Sequence, residues 1–119
     1  MREQLSPNFF RDEFECGCGC GFDTVDVQLL EALEAIRQHF MMPVHITSGA
    51  RCQVHNRAVK GSGDSQHLYA RAADIIVEGV RPAKVADYCE KTWPDRYGVG
   101  RYGGWTHIDT RQDKARWGG

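Results

Sequence analysis

The stretch Ser65-Gln-His-Leu-Tyr-Ala-Arg-Ala-Ala-Asp74, continued by Ile75-Ile-Val77, decides how the rest of the chain is read. His67 and Asp74 are seven positions apart, too far to be neighbours on one helical turn, so a turn or short loop is expected to lead into a strand at Asp74. The run Ala72-Ala-Asp-Ile-Ile-Val77 is apolar and β-branched, as a buried strand should be. A carboxylate in such a strand is costly unless it is paired, hydrogen-bonded or bound to a metal. A metal is the simplest of these answers.

Catalytic zinc typically takes three protein donors and leaves one position for water, so a third ligand is expected from elsewhere. Gly104-Trp-Thr-His-Ile-Asp-Thr110 supplies it. In an extended strand His107 and Asp109 point to the same face, which then offers an imidazole and a carboxylate together.

These residues carry a family likeness. Ser65-x-His67-x6-Asp74, followed by Trp105-x-His107, resembles the M15 group of zinc D,D-peptidases, in particular its small branch from phage lysins and prophage-like bacterial genes. The resemblance extends to Ile46-Thr-Ser-Gly-Ala-Arg51 and to Leu5-Ser-Pro-Asn-Phe9, so it covers nearly the whole chain. It implies an α+β fold like that of the hedgehog and D,D-peptidase domains, a small mainly antiparallel sheet with packed helices. It also implies a zinc ion held by His67, Asp74 and His107, with Arg51 facing the reacting carbonyl and Ser65 contacting substrate. The implied reaction is hydrolysis of peptide bonds at or next to D-amino acids in the peptidoglycan stem peptide. Such an enzyme either trims terminal D-Ala as a carboxypeptidase or opens cross-links as an endolysin-type endopeptidase.

The donor chemistry agrees with the metal. Two imidazoles and a carboxylate suit zinc better than magnesium or calcium, which favour all-oxygen sets. A general base must also take the proton of the attacking water. Relatives often place a Glu three residues before the second His, where this chain has Gly104. Asp109 is the best substitute, either as the base itself or as a partner that orients His107. If neither role holds, the domain binds peptide without cutting it.

Composition leaves this reading open and excludes others. A chain of 119 residues makes one domain, able to bury about two-thirds of its unfolded surface. With 41% apolar and 26% charged residues, a formal charge of -1 and scattered basic residues, nothing calls for a nucleic-acid partner. No apolar run is long enough for a membrane span, and Met-Arg-Glu-Gln opens no secretory signal. The expectation is a monomer made in the cytoplasm without a signal peptide, which reaches the cell wall through a phage pore or on a virion.

The N-terminal segment 1–22 holds Phe9, Phe10 and Phe14, then Cys16-Gly-Cys-Gly-Cys-Gly21, a cluster that reads as loop. A structural metal, a redox element and a turn with free thiols are its three readings; C-x-C-x-C lacks the matching downstream C-x-x-C of a metal knuckle. Cys52 and Cys89 could complete a pairing, but five cysteines leave one over. Without a signal peptide the thiols are expected to be reduced.

From Asp23, apolar residues at Val25, Leu29, Leu30, Leu33, Ile36 and Phe40 predict a helix capped by Asp23 or Thr24 and ended by Pro43. Val44 to Ser48 predicts a strand running into Arg51, whose guanidinium can grip a carboxylate or an oxyanion. His55 is left outside the metal set, and Lys60 to Asp64 is expected to rim the cleft. Pro82 opens a second helix in which Cys89 packs in the core. Tyr97–Tyr102 and Trp105–Thr110 predict a hairpin joined by Gly103-Gly104. Trp105 and Tyr69 are expected to wall the cleft, and residues 111–119 read as a loose tail apart from Trp117.

The leading expectation is therefore a zinc peptidase. A non-catalytic, metal-stabilised wall-binding or virion-structural module is the alternative, supported by Gly104. A cysteine-rich nucleic-acid module is a third reading, and no basic patch or aromatic platform accompanies it.

Overall fold

The structure, a computed structural model, describes residues 2–59, 61 and 65–118. Along the chain run β1 (Gln4–Ser6), β2 (Phe9–Phe10), α1 (Val27–Phe40), β3 (Val44–Ser48), α2 (Gln53–Ala58), β4 (Ala72–Val77), α3 (Pro82–Thr92), β5 (Gly98–Arg101), β6 (Thr106–Asp109) and β7 (Ala115–Gly118). Single 3-10 turns lie at Arg11–Phe14 and Gln66–Tyr69.

β4 is the apolar stretch expected to be a buried strand, and only Ile76 of its six residues is exposed. Both of its neighbours, β3 and β6, run antiparallel to it, and the sheet order is β3-β4-β6-β5-β7. β5 is antiparallel to β6, while β7 lies parallel to β5 at the edge. The α+β expectation, a mainly antiparallel sheet with helices packed on it, holds.

α1 and α3 supply the apolar layer over the sheet. α1 buries Leu29, Ala32, Leu33 and Ile36, and α3 buries Val85, Ala86 and Cys89; these join Ala73, Ile75, Val77, Val99 and Ile108 of the sheet in one core. Each large aliphatic chain withdrawn from water contributes about 1.5–3 kcal/mol. Phe9 and Phe14 anchor the N-terminal segment in the same core. No helix among the described residues is long and apolar enough to cross a membrane.

Three element boundaries differ from expectation. α1 begins at Val27 with Asp26 at its N-cap, not at Asp23 or Thr24, and Val25 packs on the core from the preceding loop. Asp26 makes no capping bond through its side chain, which instead accepts from the Thr110 hydroxyl at 3.2 Å. The β5–β6 connection has four residues, since Arg101 pairs with Thr106. Tyr102 and Trp105 leave the ladder there and stack on each other, ring centroids 4.6 Å apart.

The third difference is the tail. Ala115 to Gly118 is not loose but forms β7, because Trp117 covers Gly100 of β5 and Arg116 ties the strand down. The Arg116 guanidinium donates to the carbonyls of Trp93 at 2.7 Å and Tyr97 at 2.5 Å. A Cβ at Gly100 would lie 2.6 Å from the Trp117 indole, so the absent side chain makes room for this packing.

Candidate metal centre and cleft

The site forms where β3 ends, β4 begins and β6 crosses. A register shift between Ile46 and Ser48 brings Ser48 opposite Asp74 and turns the chain at Gly49. Gly49 passes so close to the backbone of Phe14 that a Cβ would lie 2.7 Å from its Cα. The glycine is needed for that approach.

The Gly49 carbonyl then faces His67. Ser65 caps the 3-10 turn by accepting from the His67 amide at 3.2 Å, and the turn swings the imidazole inward until Nδ1 lies 2.7 Å from the Gly49 oxygen. A carbonyl only accepts, so Nδ1 carries a proton and Nε2 is the nitrogen turned toward Asp74. That Nε2 is buried and has no hydrogen-bond partner.

Asp74 and His107 are direct cross-strand partners on β4 and β6. His107 Nδ1 lies 2.9 Å from Asp74 Oδ1, and His67 Nε2 lies 3.4 Å from the same oxygen. Donor atoms of His67, Asp74 and His107 all fall within 4.8 Å of one another. A buried imidazole nitrogen left unpaired beside a carboxylate and a second imidazole fits a metal ion of zinc's preferences. The sequence-predicted ligand set is therefore brought together in full.

Asp109 takes a different position. Its side chain is fully buried; Oδ2 lies 2.7 Å from His107 Nε2 and 2.8 Å from Arg111 Nη2. Oδ1 accepts from Arg111 Nε at 2.8 Å and from the amides of Gly98 and Arg111 at 3.1 and 3.2 Å. Arg111, which sequence reasoning passed over, grips both oxygens from two residues away; such a fork has no periodic signal.

Charge is finely set here. Burial pushes the Asp74 carboxyl up, but His107 and His67 beside it outweigh this and hold it well below the usual carboxylate range. Asp109 is likewise held low against burial by His107 and Arg111. Burial disfavours a charged His107, yet its bonds to Asp109 and Asp74 raise its pKa above the ordinary value.

Arg51 is held in the site rather than in solvent. Its guanidinium lies 3.4 Å from Asp74 Oδ2, and it donates to Asn56 Oδ1 at 3.1 Å and to the Ser48 hydroxyl at 3.3 Å. Together with Ser65, Gln66, His67, Asp74 and His107 it lines a cleft of about 540 Å³. Trp105, Tyr102 and Trp117 form its aromatic wall. Tyr69 is exposed and does not line it. Of the expected rim, Gly61 lines the cleft, and residues 60 and 62–64 lie outside the described residues.

Two other candidates stay apart from the centre. Cys89 is buried in α3, where burial pushes its thiol up to about 12, as befits a packing residue. His55 lies on α2 against Gly17, away from the three donors.

No curated protein matches the chain. Residues 7–109 match the family model described as Peptidase M15. The match takes in β3, β4 and β6, the strands that build the candidate metal centre, and it spans most of the sequence. The chain belongs to the M15 family of peptidases.

Proposed function

We propose that this peptidase uses zinc to hydrolyse peptide bonds at or next to D-amino acids in the peptidoglycan stem peptide. The observation that carries the reading is the buried, unpartnered Nε2 of His67, which faces Asp74 and His107 at the floor of an open cleft. A zinc ion bound there supplies a Lewis acid and a water acidified toward neutrality.

The chain's own residues prepare that chemistry. Gly49 fixes the His67 tautomer, and Asp109 fixes His107 so that Nδ1 faces inward. Arg51 stands beside Asp74, where its permanent charge stabilises a carbonyl oxygen that becomes negative or holds a terminal carboxylate. Ser65 offers its hydroxyl at the cleft wall, and the stacked Tyr102 and Trp105 give the peptide a flat surface. Burial of Asp109 behind His107, with both oxygens engaged by Arg111, favours the orienting role over that of general base. The protein acts on the cell wall as a monomer, without nucleic acid, either trimming terminal D-Ala or opening cross-links as a phage-type lysin does.

The test measures amino groups and free D-Ala released from purified peptidoglycan, with and without a chelator, alongside bound zinc. Chelator-sensitive release is expected, and Arg51→Lys should lower kcat/KM by about 10–100-fold with zinc retained. Undiminished release in a chelator that has stripped the metal would refute the zinc reaction.

A non-catalytic wall-binding or virion module is the second reading. It is favoured by one observation: among the described residues lining the cleft, Asp74 is the only carboxylate. Sedimentation of the protein with intact walls, together with zinc content and no release from several wall types, would support it.

A further inference from the structure

Outside the cleft, the fold gathers four thiols that the peptidase reading does not use. Cys52 Sγ lies 3.8 Å from Cys16 Sγ and 3.6 Å from Cys18 Sγ, and Cys16 and Cys18 are 3.5 Å apart. Cys20 joins them, all four sulfurs lying within 4.8 Å of one another. Four thiolates around zinc, with Zn–S bonds of about 2.3 Å, stand about 3.8 Å apart along the edges of a tetrahedron. The observed spacings match that edge and far exceed the about 2.05 Å of a disulfide.

We propose that Cys16, Cys18, Cys20 and Cys52 hold a second, structural metal ion of the tetrahedral zinc class, which clamps the N-terminal loop to the start of α2. The C-x-C-x-C spacing misses the usual knuckle pattern, but the backbone supplies what spacing lacks. Gly19 and Gly21 adopt φ of +79° and +91°, a left-handed conformation open to glycine. The Cys16 amide donates to the Phe22 carbonyl at 2.7 Å and the Gly19 amide to the Cys16 carbonyl at 3.1 Å. The loop thus closes on itself and directs three alternate cysteines toward Cys52.

The surroundings suit thiolates. The Cys52 amide donates to Cys16 Sγ at 3.4 Å, and the His55 amide to Cys52 Sγ at 3.4 Å. Backbone N–H groups aimed at sulfur stabilise its negative charge. Between Phe14 and Phe22 no aliphatic or aromatic side chain ties the loop to the core, so metal bonds would take the place of packing. On binding, the thiols release their protons to solvent and bind as thiolates.

The ion would also support the cleft. Cys52 follows Arg51 in the chain, and the Arg51 amide donates to the His67 carbonyl at 3.0 Å. Fixing Cys52 therefore fixes the backbone from which Arg51 reaches Asp74. The inference uses none of the cleft donors and stands whether or not the protein hydrolyses peptidoglycan.

The experiment uses the full chain, purified under reducing conditions from zinc-supplemented cells. Metal analysis is expected to find two zinc ions per chain, with one left in Cys52→Ser and one left in His67→Ala. Titrating the unmutated protein with an organomercurial thiol reagent should release one zinc as four thiols react, and needs no variant to fold. Cobalt substitution should give an intense thiolate-to-cobalt charge-transfer band that survives His67→Ala and vanishes in Cys52→Ser. A single zinc per chain with no release on thiol titration would overturn the proposal. So would a cobalt protein without the band.

Discussion

His107 Nε2 lies 2.7 Å from Asp109 Oδ2, although the two residues sit on one strand face with a single residue between them. Their side chains share that face because strand side chains alternate, and Arg111 pins the carboxylate from its other side. His107 is thereby held with Nδ1 facing Asp74 Oδ1 at 2.9 Å. An anion behind a ligand imidazole strengthens the ligand and fixes its orientation.

Asp109→Asn should therefore weaken zinc binding by about 10–100-fold, with activity recovered at high zinc. Metal titration and turnover across a zinc series would check it. If Asp109 were the general base, the variant would keep its zinc and lose hydrolysis at every zinc concentration.

Gly98 provides a way to disturb the same carboxylate without touching it chemically. An added Cβ would lie 2.6 Å from Asp109 Cγ, inside van der Waals contact. Gly98→Ala should cost about 1–3 kcal/mol of stability and lower zinc affinity as well. Thermal unfolding with and without zinc measures both, and Gly103→Ala, where a Cβ meets nothing within 4 Å, is the control.

Trp117 joins β7 to the cleft. Its indole N–H donates to the Tyr102 hydroxyl at 2.9 Å, and its ring lies 4.9 Å from that of His107. Trp117→Ala should destabilise the protein by about 2 kcal/mol and raise KM with zinc content unchanged. A tail without structural role would leave the unfolding midpoint where it was.

Glu34 carries a pH signature remote from the cleft. Partial burial pushes its carboxyl up, but the Asn8 side chain and amide, at 2.7 and 2.8 Å, outweigh this and set its pKa below the ordinary 4.5. A lowered folded pKa means that the stabilisation is present above the unfolded value and lost as pH falls through the folded one. Glu34→Gln should thus cost about 1 kcal/mol near neutrality and nothing once Glu34 is protonated. Denaturant unfolding at pH 7 and in acid would show the two curves converging.

Much of this molecule is legible in its sequence. Leu29, Leu33 and Ile36 mark α1 by their spacing, Val85, Ala86 and Cys89 mark α3, and the apolar run 72–77 marks β4. Helix period and strand composition are local properties, and local sequence reports them. The grouping of His67, Asp74 and His107 as candidate donors was also legible, from the cost of an unpaired Asp in an apolar strand and from the likeness to the M15 pattern.

What escaped the sequence depends on distance through space. β7 exists because Trp117 finds the bare surface of Gly100, and no property of residues 115–118 alone encodes that partner. Asp109 lies on the same strand as His107, as alternation requires, but only the Arg111 fork and the Gly98 amide show it turned away from the cleft. Cys52 meets Cys16 and Cys18 across more than thirty residues through the crossing of Phe14 over Gly49. Sequence by itself determined α1, α3, β4 and the residue types at the candidate site, since these follow from periodicity and the cost of burying charge. Tertiary structure alone decided which atoms each donor faces, since that depends on where segments far apart in the chain are brought into contact.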